Sequence, residues 1–143
     1  MLKFNKIIFV FVLLLVTIKL TAQEKHNCNT TLNDGFIQDG REYSLTLEDG
    51  KSGKVYLSFF GGFQYRLLIC SSNTKKYKIA LYDIEKKLLF SGSCEDYTKK
   101  YDLRFKSNIA CVAIISIDVN AVADPKFTIV VGFKENKAEK NIK

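Results

Sequence analysis

The sequence predicts an all-β protein: an antiparallel two-sheet β-sandwich of about eight strands, jelly-roll-like, preceded by a signal-peptide helix. Three observations carry this prediction. Apolar and polar residues alternate with period two through most of the chain after residue 40. Turn-forming pairs such as Asp39-Gly40, Asp49-Gly50 and Gly61-Gly62 punctuate the alternation. After the first 22 residues, no apolar stripe of helical period persists for three turns.

The strands follow in order. Tyr43, Leu45 and Leu47 alternate with Ser44, Thr46 and Glu48. Val55, Leu57 and Phe59 come next, then Phe63, Tyr65, Leu67 and Ile69. Tyr77, Ile79 and Leu81 form the fourth strand, and Leu88-Leu89-Phe90 a short fifth. Tyr101, Leu103 and Phe105 alternate with Asp102, Arg104 and Lys106. Residues 109–117 are apolar on both parities, the pattern of a strand covered on both faces. Phe127, Ile129, Val131 and Phe133 close the set. Ser71-Ser72-Asn73 and Ser107-Asn108 add further breaks. Gly61-Gly62 stands at the two-residue hairpin spacing, with a bulge inside one long strand as the alternative. Residues 83–87 turn one strand back on the next, and Pro125 precedes the last strand, where a missing N–H is harmless. In this register the core face is Leu45, Leu57, Leu67, Ile79, Leu81, Leu103, Ile115 and Ile129. The chain then divides into a signal peptide (1–22), a polar lead-in (23–35), the sandwich (36–133) and a solvated tail (134–143).

Lys3 and Lys6 form the basic start of the leader, residues 7–18 its apolar core, and Ala22 the small residue before cleavage at Gln23. Twelve helical residues span roughly 18 Å, short of the ~30 Å hydrocarbon core of a bilayer, so a stable membrane anchor is the weaker reading. The first cysteine is Cys28, too far on for a lipoprotein. The protein is thus expected to be secreted or periplasmic.

The formal charge of +7 overstates the basic character. Lys3, Lys6 and Lys19 leave with the leader, which leaves 19 basic against 15 acidic residues. Lys75-Lys76, Lys86-Lys87 and Lys99-Lys100 sit beside turns as solubilising pairs, not as the basic stripe of a nucleic-acid binder. The four cysteines, Cys28, Cys70, Cys94 and Cys111, contain no CxxC and read as two disulfides in an exported chain. Spacing does not choose among the three pairings. A hairpin about residues 84–85 would set residue 94 opposite about residue 75. On that geometry the expected bridges are Cys70–Cys94 and Cys28–Cys111.

From Phe60 through Gly61-Gly62-Phe63-Gln64-Tyr65-Arg66-Leu67 to Cys70 the chain resembles a bacterial family of small exported proteins with no assigned function. The family carries a short G-x-x-Y-R-[IL] motif, then a D-x-x-x-x-[LI]-[LI]-F hairpin, here Asp83 to Phe90, then a last strand ending in V-G-F/Y-K, here Val131-Gly-Phe-Lys134. The likeness covers roughly residues 40–134. More remotely, the pattern is similar to the jelly-roll-like, non-catalytic domains appended to secreted bacterial peptidases. The resemblance implies fold and export and brings no catalytic residue.

The chemistry points away from an enzyme. The only histidine, His26, lies in the lead-in, outside every predicted strand, and reads as a solvated residue, not as a triad base. Gly50-Lys-Ser-Gly-Lys54 echoes a phosphate loop, but Leu45 stands where its first glycine belongs. Ser91-Gly-Ser93 lacks the G-x-S-x-G frame of a nucleophile elbow. Glu48, Asp49, Asp83, Glu95, Asp96 and Asp102 show no spacing that pairs two across a cleft, which makes a carboxylate-dependent hydrolase a distant third reading. Asp34, Asp39 and Asp49 each precede glycine without EF-hand spacing and read as turns, not as a calcium site. No metal or cofactor is expected. Tyr56 and Phe60 share the non-core parity of one strand, and Tyr82 that of another. On a solvent-facing sheet they are the candidate ligand-stacking residues for a sugar ring. The leading expectation is therefore an exported, non-catalytic binding module for a glycan, an envelope component or a protein. The alternative is a structural or assembly protein that acts through edge-strand pairing.

Overall fold

A computed structural model of the protein describes residues 26–47, 52–118 and 124–136. The expected leader, the Asp49-Gly50 turn and most of the expected tail lie outside the described residues. The described residues form eight strands: β1 (Ile37–Thr46), β2 (Ser52–Phe59), β3 (Phe63–Ser71), β4 (Tyr77–Asp83), β5 (Leu88–Cys94), β6 (Thr98–Arg104), β7 (Ile109–Ser116) and β8 (Lys126–Glu135). None of the described residues is helical, and among them no helix is long and apolar enough to cross a membrane.

The strands make two antiparallel sheets of four. Sheet A runs β1-β8-β3-β6 and sheet B runs β2-β7-β4-β5. This is the interleaved order of a jelly roll, in which consecutive strands fall in opposite sheets except at the β4–β5 hairpin. Between the sheets lies the apolar parity of each strand: Leu57, Leu67, Ile79, Leu81, Leu103, Ile115 and Ile129 are buried, and Leu45 packs half-buried against them. Two tyrosine hydroxyls tie the sheets together across this core. Tyr77 of β4 donates to the Ile69 carbonyl of β3 (3.0 Å), and Tyr101 of β6 donates to the Ser93 carbonyl of β5 (3.1 Å). Burial raises both phenols, Tyr101 to about 12, so they remain donors at any physiological pH.

Five local expectations are corrected, the last of them at His26. Gly61-Gly62 is neither a hairpin nor a bulge but the corner that carries the chain from sheet B to sheet A. A Cβ at Gly61 would sit 2.6 Å from the Lys106 carbonyl oxygen, and Gly62 holds a φ of +85°, so glycine is needed for close approach at one position and for left-handed backbone at the other. The strand covered on both faces is β3, not β7. The second parity of β3 (Arg66, Leu68, Cys70) lies under the lead-in, whereas Ala110, Val112 and Ile114 of β7 are exposed or half-buried. The strand that closes the fold runs on to Glu135, into the segment read as tail.

The fourth correction is the disulfide. Cys28 bridges Cys70 with a Cα–Cα distance of 5.8 Å, and Cys94 and Cys111 are buried free thiols. Cys70 points to the outer face of sheet A with Leu68, while Cys94 and Cys111 belong to the core between the sheets. Sheet A therefore separates Cys70 from Cys94 and Cys28 from Cys111, which forbids both expected bridges. Cys94 and Cys111 cannot join each other either. They pair with Tyr77 and Asp83 at opposite ends of β4, roughly 20 Å apart at strand rise.

The lead-in, polar by composition, lies across sheet A. Leu32 and Phe36 pack with Leu68, Cys70 and Val130 in a second apolar cluster, with Cys28 at its margin. His26 is stacked on Tyr97 at 4.5 Å, and its backbone N–H donates to the Ser72 carbonyl. It is thus a docked residue rather than a solvated one. Arg66 locks the segment. Its guanidinium donates to both oxygens of Asp102, to Asp34 and to the Leu32 carbonyl, 4.2 Å from the centre of the Phe36 ring.

Candidate functional site

Covering sheet A leaves sheet B as the face with no cover among the described residues, and its register decides what is displayed there. Val112 of β7 pairs with Tyr56 of β2 on one side and with Tyr82 of β4 on the other, and Tyr82 pairs in turn with Leu88 of β5. Tyr56, Val112, Tyr82 and Leu88 thus form one row across all four strands. The next row is Lys54, Ile114, Ala80 and Ser91. Two strand spacings put the backbones of Tyr56 and Tyr82 roughly 10 Å apart, with the smaller Val112 between them.

The size contrast makes a groove. About 550 Å³ of space is lined by Lys54, Tyr56, Tyr82, Ile84, Lys86 and Val112. A second groove of about 550 Å³ continues it past Tyr82 and Ile114 to Lys78, Ser91 and Ser93. Tyr56 is 73% exposed, an unusual state for an aromatic in mid-strand. Its position follows from sequence: Val55 and Leu57 on either side enter the core, so Tyr56 must point out. Tyr82 and Ile84 are placed by the β4–β5 turn. There Asp83 accepts backbone N–H bonds from Glu85 (2.9 Å) and Lys87 (2.8 Å). That turn also holds Lys86 in the left-handed region, φ 67°.

Of the three aromatics predicted to stack on a ligand, the structure brings Tyr56 and Tyr82 to one groove. Phe60 is exposed at 63% but follows the end of β2, four residues and roughly 13 Å beyond Tyr56, and lines neither groove. Val112, Ile114, Lys54 and Lys86 complete the site; in the sequence they read as strand and turn residues, not as ligand contacts. Only the pairing of β7 between β2 and β4 could have marked them.

The groove offers stacking and polar rim contacts rather than reactive groups. Cys111 lies beneath it, and burial pushes its thiol up to about 11, so the sulfur stays protonated and weakly nucleophilic. Four carboxylates elsewhere are held in ion pairs. Asp34 and Asp102 pair with Arg66, Asp39 with Arg41, and Asp118 with Lys78. Among the described residues, no group of three or more His, Cys, Asp or Glu side chains is placed to hold a metal ion. A larger groove, about 670 Å³, opens beside the lead-in, but its Lys134 already lies over Phe36 and donates to the Asp34 carbonyl.

No family model and no curated protein matches the chain. In structure it is similar to the CBM36-1 domain of a multidomain xylanase from the hindgut metagenome of Trinervitermes trinervoides. That likeness has a TM-score of 0.40 and 11% identity, and it covers 71% of this chain and 92% of that one.

Proposed function

We propose that this protein is an exported, non-catalytic binding module that takes a glycan chain along the outer face of sheet B. The observation that carries the reading is the Tyr56–Val112–Tyr82 row: two aromatics two strands apart on one exposed face, with a continuous groove between and beyond them. Sugar rings present apolar C–H faces that stack on aromatic rings. Their hydroxyls need donors and acceptors at the edge, which Lys54, Lys86, Ser91 and Ser93 supply. Export is supported by the predicted leader and by the Cys28–Cys70 bridge, a bond at home in oxidising compartments.

The test is affinity electrophoresis of the purified protein through gels that contain soluble polysaccharides, followed by titration of those that retard it. At least one should bind, and Tyr56→Ala should weaken it by about tenfold, the worth of one stacking contact. Tyr82→Ala should act alike, and Phe60→Ala should not. Uniform mobility in every polysaccharide, or binding indifferent to both tyrosines, would overturn the reading.

A further inference from the structure

Among the described residues the two sheets have four edges, and they are not equally guarded. An open edge invites another strand, and proteins blunt it with charge, bulges or proline. At the sheet A edge formed by β1, the ladder is interrupted between Gln38 and Glu42, where Gly40 has a φ of +83°. The opposite edge, β6, carries Lys99, Lys100, Asp102 and Arg104 within seven residues. At the sheet B edge formed by β2, Lys54 lies in mid-strand, and Arg41 of β1 donates to the Ser58 carbonyl (2.6 Å). The remaining edge, β5, has its register shift at its first residues, and from Phe90 on reads Phe-Ser-Gly-Ser-Cys, without a charge, a bulge or a proline.

What flanks β5 identifies its partner. Lys86-Lys87 precede it and Glu95-Asp96 follow it, and all four are exposed. Two copies of β5 laid antiparallel about a two-fold axis at Ser91 bring the Lys86-Lys87 flank of each copy beside the Glu95-Asp96 flank of the other. Parallel pairing would set like charges together, so the flanks select the antiparallel arrangement. In that register Phe90 faces Gly92 of the second copy, over which that copy's own Tyr101 and Phe90 already pack. The register shift opposite Leu81 and Tyr82 leaves Phe90–Cys94 as the regular ladder. Tyr101 occupies one lone pair of the Ser93 carbonyl and leaves the second free.

We infer that the protein forms a two-fold dimer by antiparallel pairing of β5 with β5 of a second copy. This joins the two B sheets into one eight-stranded sheet. Both outer faces then lie on the same side of that sheet, so the dimer presents two grooves to one surface.

Sedimentation velocity over a concentration series tests the inference without any ligand. The wild-type protein should dimerise, and the dimer should weaken as salt is raised. Lys86→Glu with Lys87→Glu makes both flanks acidic, and Glu95→Lys with Asp96→Lys makes both basic. Each double variant should lose about a hundredfold in dimer affinity, as exposed attractions become repulsions. The changed side chains are exposed, so circular dichroism should match wild type. An equimolar mixture of the two variants should dimerise again, because every flank then meets its opposite. A wild-type protein monomeric up to its solubility limit would overturn the inference. So would variants that dimerise as tightly as wild type, or a mixture that stays monomeric.

Discussion

Gly132 shows how one missing methyl positions a whole segment. A Cβ there would lie 2.3 Å from Leu32 Cδ1 and 3.2 Å from the Ile37 carbonyl oxygen, so only glycine lets the lead-in sit directly on β8. Gly132→Ala is expected to lower stability by about 1–3 kcal/mol through overpacking. It should also loosen residues 26–36 before the rest of the fold. Hydrogen exchange checks this: protection should fall in the lead-in and stay unchanged in β4 and β5, and an unaltered lead-in would contradict it. Arg66 acts on the same segment through charge. Its hydrogen bonds hold Asp102 and Asp34 below the usual carboxylate range. A carboxyl depressed in the folded state stabilises above its unfolded value, about 3.9, and that contribution is lost as pH falls through the folded value. The contribution of this cluster should therefore be level above about pH 5 and decline below about pH 4. Asp102→Asn should flatten that decline in urea titrations run at a series of pH values. A variant with the wild-type acid slope would dissociate the ion pair from acid stability.

At the scale of elements, period-two alternation made the strands legible because each places one parity in a common core. Leu57, Leu67 and Ile79 are buried for the same reason that they alternate. What alternation does not encode is which sheet a strand joins. That is why Gly61-Gly62 read as a hairpin although it is a corner, and why β7 read as covered on both faces although the lead-in covers β3. The β4–β5 hairpin was legible in outline, but the shift at Leu81/Tyr82 moved the partner of Cys94 from about residue 75 to Tyr77. The lead-in hid its role because its apolar packing rests on Cys28, Leu32 and, just past its end, Phe36, set among polar neighbours. With its docking unseen, the bridge to Cys70 was out of reach. The thiols now give a direct check. Alkylation of the native protein should leave Cys94 and Cys111 unlabelled, and alkylation after unfolding without reductant should label those two alone. Non-reducing peptide maps should carry a Cys28–Cys70 link, and reducing it should cost about 4 kcal/mol for a loop of this length. A labelled Cys28 or Cys70, or a mapped link to Cys94, would refute the assignment.

At the scale of the molecule, the candidate site is a product of topology. Parity alone put Tyr56 and Tyr82 on non-core faces, but their neighbourhood depends on β7 entering between β2 and β4, a pairing that joins segments some 30 to 60 residues apart. The same non-local wiring governs how the fold assembles. Ile37, at the start of the first strand, pairs with Phe133 near the end of the last, so β1 cannot complete its ladder until almost the whole chain has been gathered. Loop closure over that distance costs entropy before contacts repay it, and folds dominated by such pairings fold in milliseconds to seconds, not microseconds. Stopped-flow refolding of the disulfide-intact protein should therefore show its main phase on that slow scale. Pulse-labelled exchange should find the local β4–β5 hairpin protected no later than the β1–β8 ladder. If β1 and β8 acquired protection first, or the main phase finished within the mixing time, closure of the jelly roll would not be the limiting step.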